Sequence, residues 1–206
     1  MKVAIQASDL DHSRIDGTRV YILNLLKYFG KLDQGSQFLI YHKNHFNSEL
    51  TPPSFPNYKI IQKSFPFFWT QTRFAYELFK DKPDVLWMPM HNLPYFRRKN
   101  LKTAVTIHDL AFKYFPECFP RKELWQINFL TKMAVENCDK IITVSQSSKN
   151  DILKFYPKVK EKNIKVFNIL EVDEKPGCGI YGKVKNRNIF AGNIKFLENS
   201  GIIFSK

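Results

Sequence analysis

Cysteine is scarce: three residues, Cys118, Cys138 and Cys178, lie far apart in a chain of 206. No two have zinc-ligand or redox-motif spacing, which argues against a disulfide framework and points to reduced thiols in a cytoplasmic protein. Long hydrophobic runs are absent too. Nothing approaches the length of a membrane-spanning helix, and the apolar part of MKVAIQASD is too short for a secretory signal, so it reads as a first strand. Glycine is sparse, and five of the eight fall after residue 170, which leaves no P-loop and no GxGxxG motif before it. Acidic residues are in deficit, 19 against 32 Lys and Arg, for a formal charge of +13. Such a surplus implies affinity for something anionic: a phosphorylated sugar, a membrane or nucleic acid. For any single lysine, solvation on an outer helix face is the plainer account.

What is present is apolar material in quantity. Hydrophobic residues make up 44% and aromatics 15%, too much for disorder, and 206 residues suffice for one well-filled domain or for one domain plus a fragment. Short β-branched or apolar runs at residues 2–7, 37–41, 58–61, 84–88, 103–107, 140–144 and 165–167 read as buried strands. Helical periods fall between them. One begins near Thr18, with Ile22, Leu25, Leu26 and Phe29 on one face. Others span residues 69–80 and 121–137, and a further one carries Ile152 and Phe155, capped by Ser147 or Ser148. Strands alternating with helices predict an α/β fold, a Rossmann-like parallel sheet with helices on both faces.

In such a sheet the carboxyl ends of the strands face the ligand crevice. TAVTIHDLAF turns polar at His108 and Asp109 at one such end. His91 follows the strand DVLWM, Ser145 follows KIITV, and the loop SDLDHSRIDGT follows the first strand. Gly17 in that loop would let a ligand approach the backbone at a helix start, with Arg19 in the first turn. Taken singly, each has a bland alternative: a surface histidine, a capping Asp or Ser, a plain βα turn. Their convergence on one rim is worth more than any one of them. His42 and His45 lack a carboxylate or cysteine cluster, so loop surface is the better reading and no metal site is expected. Phe65, Phe67 and Phe68 are expected to be buried, with a headgroup-facing patch as the minority reading. The run Arg97, Arg98, Lys99 is either solvated or in contact with an anionic acceptor.

Together, DGTRVYILNLLKYF, DVLWMPMHNLP, TAVTIHDLAFKYFP and CDKIITVSQSSKNDILKFYP, in this order and spacing, resemble the N-terminal domain of glycosyltransferase family 4, the retaining enzymes of GT-B fold. The resemblance covers about residues 1–168 and implies one half of a GT-B fold, the acceptor side. It implies transfer of a hexose from a UDP- or GDP-sugar to a glycan, lipid-linked or small acceptor, with no cofactor and no bound metal. By the same resemblance, His108 is catalytic beside the transferred sugar and Asp109 orders its turn. Gly17, Thr18, Arg19, His91 and Ser145 are substrate-binding, the loop at Gly17 approaching the donor diphosphate.

Two departures stand out. The family's loop often carries two glycines where this one has Gly17 and Thr18, and no two Glu stand in the E-x7-E relation of the family's donor-binding domain. Residues 169–206 are therefore expected to be a linker or a remnant of that domain, with the donor site on a separate domain. The alternative is a non-catalytic basic module docking on an anionic membrane or glycolipid, cytoplasmic and peripheral on the inner face of the membrane. Nucleic acid is not expected as a partner, because no basic recognition helix or aromatic RNA-binding signature is present.

Overall fold

Alternation of apolar side chains decides which face of the sheet each residue serves. In β1 (Lys2–Gln6), Val3 and Ile5 point into one core and Ala4 into the other. In β2 (Gln37–His42), Phe38 and Ile40 join Val3 and Ile5, while Leu39 and Tyr41 join Ala4. A strand with two apolar faces must be covered on both sides, which is the condition that selects a parallel sheet between helical layers. The computed structural model describes residues 1–166, 170–175, 179–184, 187–192 and 194–202, and it divides them between two compact units, Met1–Val166 and Phe167–Lys206.

The first unit is a seven-stranded sheet in the order β3-β2-β1-β4-β5-β6-β7. Its other strands are β3 (Tyr58–Gln62), β4 (Val85–Met88), β5 (Lys102–Ile107), β6 (Lys140–Thr143) and β7 (Ile164–Val166). Every pairing is parallel. Helix α1 (Gly17–Leu32) covers one face through Ile22, Leu23 and Leu26. The other face is covered by α2 (Ala75–Asp81), α4 (Arg121–Asn137) and α5 (Gln146–Phe155), through Leu78, Ala134, Val135 and Ile152. A short α3 (Ala111–Tyr114) follows β5. The chain runs outward from β1 to β3, then returns and builds β4 to β7 on the other side. The strand order therefore reverses between β1 and β4, where a ligand crevice opens at the carboxyl ends.

Several local readings are corrected. The helix expected over residues 69–80 opens as a π-helical turn, Thr70–Phe74, before α2. The turn carries Gln71, whose amide donates to the Leu93 carbonyl (3.0 Å) and accepts from the Tyr95 N–H (2.8 Å), pinning the loop after β4. Phe65, Phe67 and Phe68 are exposed rather than buried; only Trp69 of that stretch enters the core. His42 is buried at the end of β2, stacked on Phe46 and within 3.1 Å of Asp11, not on a loop surface. In the basic run, Lys99 is exposed, whereas Arg97 and Arg98 are half-buried. Their guanidinium groups donate to the carbonyls of Asn137 and Pro83, which precede β6 and β4 at the end of the sheet opposite the crevice.

The second unit is a three-stranded antiparallel sheet of β8 (Leu170–Lys175), β9 (Gly179–Val184) and β10 (Arg187–Gly192), followed by α6 (Ile194–Asn199). The sequence offers no period long enough to announce these short elements. Phe167 as the end of the last strand, the thiol of Cys178, and the close of the GIIF run fall outside the described residues. Among the described residues, Cys118 and Cys138 are free thiols, and no helix is long and apolar enough to cross a membrane.

Candidate functional site

His108 is the first residue past β5, and four contacts from three separate elements fix it. Its backbone N–H donates to Nε2 of His91 (3.3 Å), on the loop after β4. Its carbonyl accepts from the Ser148 hydroxyl (2.7 Å) in the first turn of α5. Its own Nε2 lies 3.0 Å from the carbonyl of Pro89. The ring packs edge-on against Tyr21 of α1, with centroids 5.1 Å apart. A loop-end histidine held at backbone, ring nitrogen and ring edge is pre-organised for contact with a ligand.

These partners also assign the protons. The Pro89 carbonyl can only accept, so Nε2 of His108 carries the hydrogen. Burial lowers the pKa of His108 below the ordinary imidazole value, with a smaller opposing effect from the Pro89 carbonyl and from Asp109, Asp16 and Asp9. The ring is neutral at physiological pH, and its remaining nitrogen, Nδ1, is an acceptor. His91 has the opposite tautomer: Nε2 accepts from the His108 backbone, leaving Nδ1–H to donate to the Thr131 hydroxyl (3.3 Å) on α4. Burial, and the neighbouring His108, bring the His91 pKa down to about 4.

A cleft of about 450 Å³ lies over these groups, lined by Thr18 from the first turn of α1, by His91, His108 and Asp109 from the strand-end loops, and by Glu123, Gln126, Ile127 and Leu130 from one side of α4. Asp109 accepts from the Ala111 N–H (3.0 Å), closing the turn into α3. Gly17 opens α1, and a Cβ built there would meet no atom within 4 Å, so the helix start faces open space. Asp16 caps that helix by accepting from the Arg19 N–H (3.2 Å). Arg19 itself is less available than a first-turn cation suggests. Its guanidinium pairs with Asp16, and its Nε donates to the Asp9 carbonyl (3.0 Å). Ser145, not Ser147 or Ser148, caps α5, its Oγ accepting from the Ser148 N–H (3.0 Å).

The structure thus brings Thr18, His91, His108 and Asp109 into one cleft, with Gly17 beside Thr18, and gives Ser145 a capping contact and Arg19 an ion pair. Sequence reasoning missed Tyr21, Thr131 and Ser148 as supports of the two histidines. Tyr21 was findable, because it shares the inward face of α1 with Thr18 and Leu25. Thr131 and Ser148 carried no signal, being 40 residues from the groups they meet. Among the described residues, no group of three His, Cys, Asp or Glu is placed to hold a metal ion.

The family model described as Glycosyltransferase Family 4 matches residues 15–168. Over 78 residues the chain is 33% identical to the O-antigen chain mannosyltransferase RfbU of Salmonella typhimurium. That alignment covers 38% of this chain and spans 20% of the relative's own length.

Proposed function

The chain belongs to glycosyltransferase family 4, and on that premise we propose that its cleft seats a hexose in transit from a nucleotide-sugar donor to a glycan or lipid-linked acceptor. The observation that carries this is His108: a neutral imidazole, fixed on four sides, whose one uncommitted nitrogen is an acceptor. Sugar hydroxyls are donors, and an acceptor of fixed position orients a pyranose without carrying a charge that would compete with the departing diphosphate. His108 serves as the sugar-contacting residue and Asp109 holds its turn. His91 acts through His108 as a positioning residue.

The open start of α1 at Gly17 and Thr18 takes the diphosphate side. First-turn N–H groups and the positive end of the helix stabilise the charge that builds as the anomeric C–O bond of the donor breaks. The acceptor oxygen bonds to the anomeric carbon on the same face, and its proton passes to the departing diphosphate oxygen, so the configuration is retained. A donor-binding domain completes the site by holding the nucleotide. The relative named a mannosyltransferase puts mannose among the hexoses to test first.

The test is saturation-transfer NMR of GDP-mannose, GDP-glucose, UDP-glucose and UDP-galactose with the purified chain, alongside release of GDP or UDP. Magnetisation transfer to hexose ring protons that disappears in His108→Ala supports the reading. Transfer that is absent with every donor, or unchanged in His108→Ala, overturns it.

A second reading, docking on an anionic membrane, draws on the exposure of Phe67 and Phe68, at 71% and 80%. Liposome flotation with and without phosphatidylglycerol tests it, and indifference to lipid charge removes it.

A further inference from the structure

Helix α4 has two working sides. Glu123, Gln126, Ile127 and Leu130 face the cleft described above, while Trp125, Phe129 and Lys132 face a separate groove of about 520 Å³. The groove is also lined by the end of α5 and the turn after it, with Phe155, Tyr156 and Lys158, by Glu136 at the end of α4, and by Lys113 of α3. No part of the proposed transfer chemistry uses it.

Three features of the groove are unusual for a surface with no ligand. Trp125 and Phe129, one helical turn apart, lie with their ring planes 4° from parallel and centroids 5.7 Å apart. They are 69% and 55% exposed, a large apolar area left in water. The other two tryptophans, Trp69 and Trp87, are each only 6% exposed, so exposure is not the rule for this residue here. In the same groove, the Lys113 ammonium lies over the rings of Phe112, Phe155 and Tyr156, at 5.7, 5.7 and 5.2 Å from their centroids. Burial, with Lys132 nearby, lowers its pKa. Among the described residues, neither Lys113 nor Lys132 has a carboxylate within ion-pairing distance. An exposed aromatic stack shares the groove with Lys113, Lys132 and Lys158 against the single carboxylate of Glu136, so the groove offers an apolar face together with an excess of positive charge.

We propose that this groove is a second saccharide-binding site, taking a pyranose ring that bears an anionic substituent, its apolar C–H face on the outer face of the Trp125–Phe129 stack and its anionic group on Lys113 and Lys132. The outer face of the stack selects the flat face of a sugar, because C–H groups of modest positive charge meet the negative face of the aromatic quadrupole. The lysines select the charge: each supplies donors to a phosphate or carboxylate oxygen, and their mutual repulsion is relieved when the anion arrives. The concave wall built by Phe155 and Tyr156 favours a ring-sized ligand over a flat bilayer surface. Lying on the other side of α4 from the His108 cleft, the site would hold a part of an acidic glycan remote from the reacting sugar.

The two buried tryptophans make the experiment selective. The full chain labelled with 5-fluorotryptophan gives three fluorine resonances, and Trp125→Phe assigns the exposed one. Glucose 6-phosphate, glucose and inorganic phosphate are titrated separately, together with phosphatidylglycerol vesicles. The expected result is a saturable shift of the Trp125 resonance with glucose 6-phosphate, little shift with glucose or phosphate alone, and unmoved Trp69 and Trp87 resonances. Lys132→Gln should weaken the binding about tenfold, the size of one charge-assisted hydrogen bond. Trp125 and Lys132 lie on the groove side of α4, so these variants should fold, and the buried resonances check that they do. An equal response to phosphate alone would reduce the site to an anion cluster. A response confined to vesicles would make it a membrane surface. No response to glucose 6-phosphate would overturn the proposal outright.

Discussion

The backbone N–H of His108 donates to Nε2 of His91 across 3.3 Å, joining the ends of two adjacent parallel strands through one imidazole. The bond fixes the His91 tautomer, and the same ring bridges onward from Nδ1 to Thr131 on α4. A helix on the sheet and two strand ends are thereby tied at the floor of the cleft. His91→Phe should keep the ring volume while removing both bonds, leaving a shielded N–H and hydroxyl without partners at a cost of about 1–3 kcal/mol. Equilibrium urea unfolding measures it, and an unchanged midpoint would show that the bridge holds nothing.

The two histidines also give the fold a pH dependence whose sign follows from their shifts. His91 titrates at about 4 in the folded chain against 6.5 ordinarily, chiefly through burial, and His108 is lowered for the same first reason. Between these values the unfolded chain binds protons that the folded chain excludes, so stability is complete above 6.5 and falls as pH drops toward 4. For His91 the loss is on the order of 3 kcal/mol. Urea midpoints at about pH 7.5 and about pH 5 should separate clearly in the parent and much less in His91→Phe. Equal slopes in the two proteins would place the dependence on other groups.

A different anchor holds the loop that carries Gly17. The carboxylate of Asp11 accepts from the N–H groups of Lys43 (2.9 Å) and Asn44 (2.7 Å) and meets Nδ1 of His42 at 3.1 Å, so the turn after β1 is bound to the end of β2. Asp11→Ala removes an acceptor for all three and should cost about 2–4 kcal/mol, contributed by the shielded His42 ring and Lys43 N–H, while the exposed Asn44 N–H turns to water. Asp11→Asn keeps one carbonyl acceptor and should lose less. Hydrogen exchange should show the Lys43 and Asn44 amides losing protection in Asp11→Ala; retained protection would mean the loop closes by other means.

These anchors mark where sequence reading stops. The seven strands of the first sheet were legible, because each is a β-branched or apolar run, and α4 was legible to its end residues because its apolar period is unbroken between Pro120 and Cys138. The rim was legible too: in a parallel sheet, polarity at the end of successive apolar runs marks the crevice side. What could not be read was pairing across the chain. His42 and Asp11 are 31 residues apart, and nothing in either neighbourhood names the other. Arg97 and Arg98 read as a basic surface run because composition cannot show that the carbonyls of Asn137 and Pro83 lie within reach. The capping serine of α5 was misplaced because all the serines of SQSS suit a helix start, and only the extended backbone of Ser145 decides among them.

The helix α1 supplies the last prediction, at a position where a stabilising change in isolation should fail in context. Gly30 sits near the end of α1, where alanine would ordinarily gain about 1 kcal/mol of helix propensity. Here a Cβ would run into the ring of Phe55 and the edge of Tyr58, whose hydroxyl accepts from the Gly30 N–H at 2.9 Å. Both rings belong to the segment that leads into β3, and Tyr58 is also packed against Phe38. The helix and that segment would have to separate, so overpacking should outweigh propensity and Gly30→Ala should destabilise by about 1–3 kcal/mol. Phe55→Ala in the same chain vacates the colliding ring, and the double variant should recover part of the loss. A thermodynamic cycle of the two substitutions measures the coupling, and purely additive effects would show that α1 does not owe its close approach to the glycine.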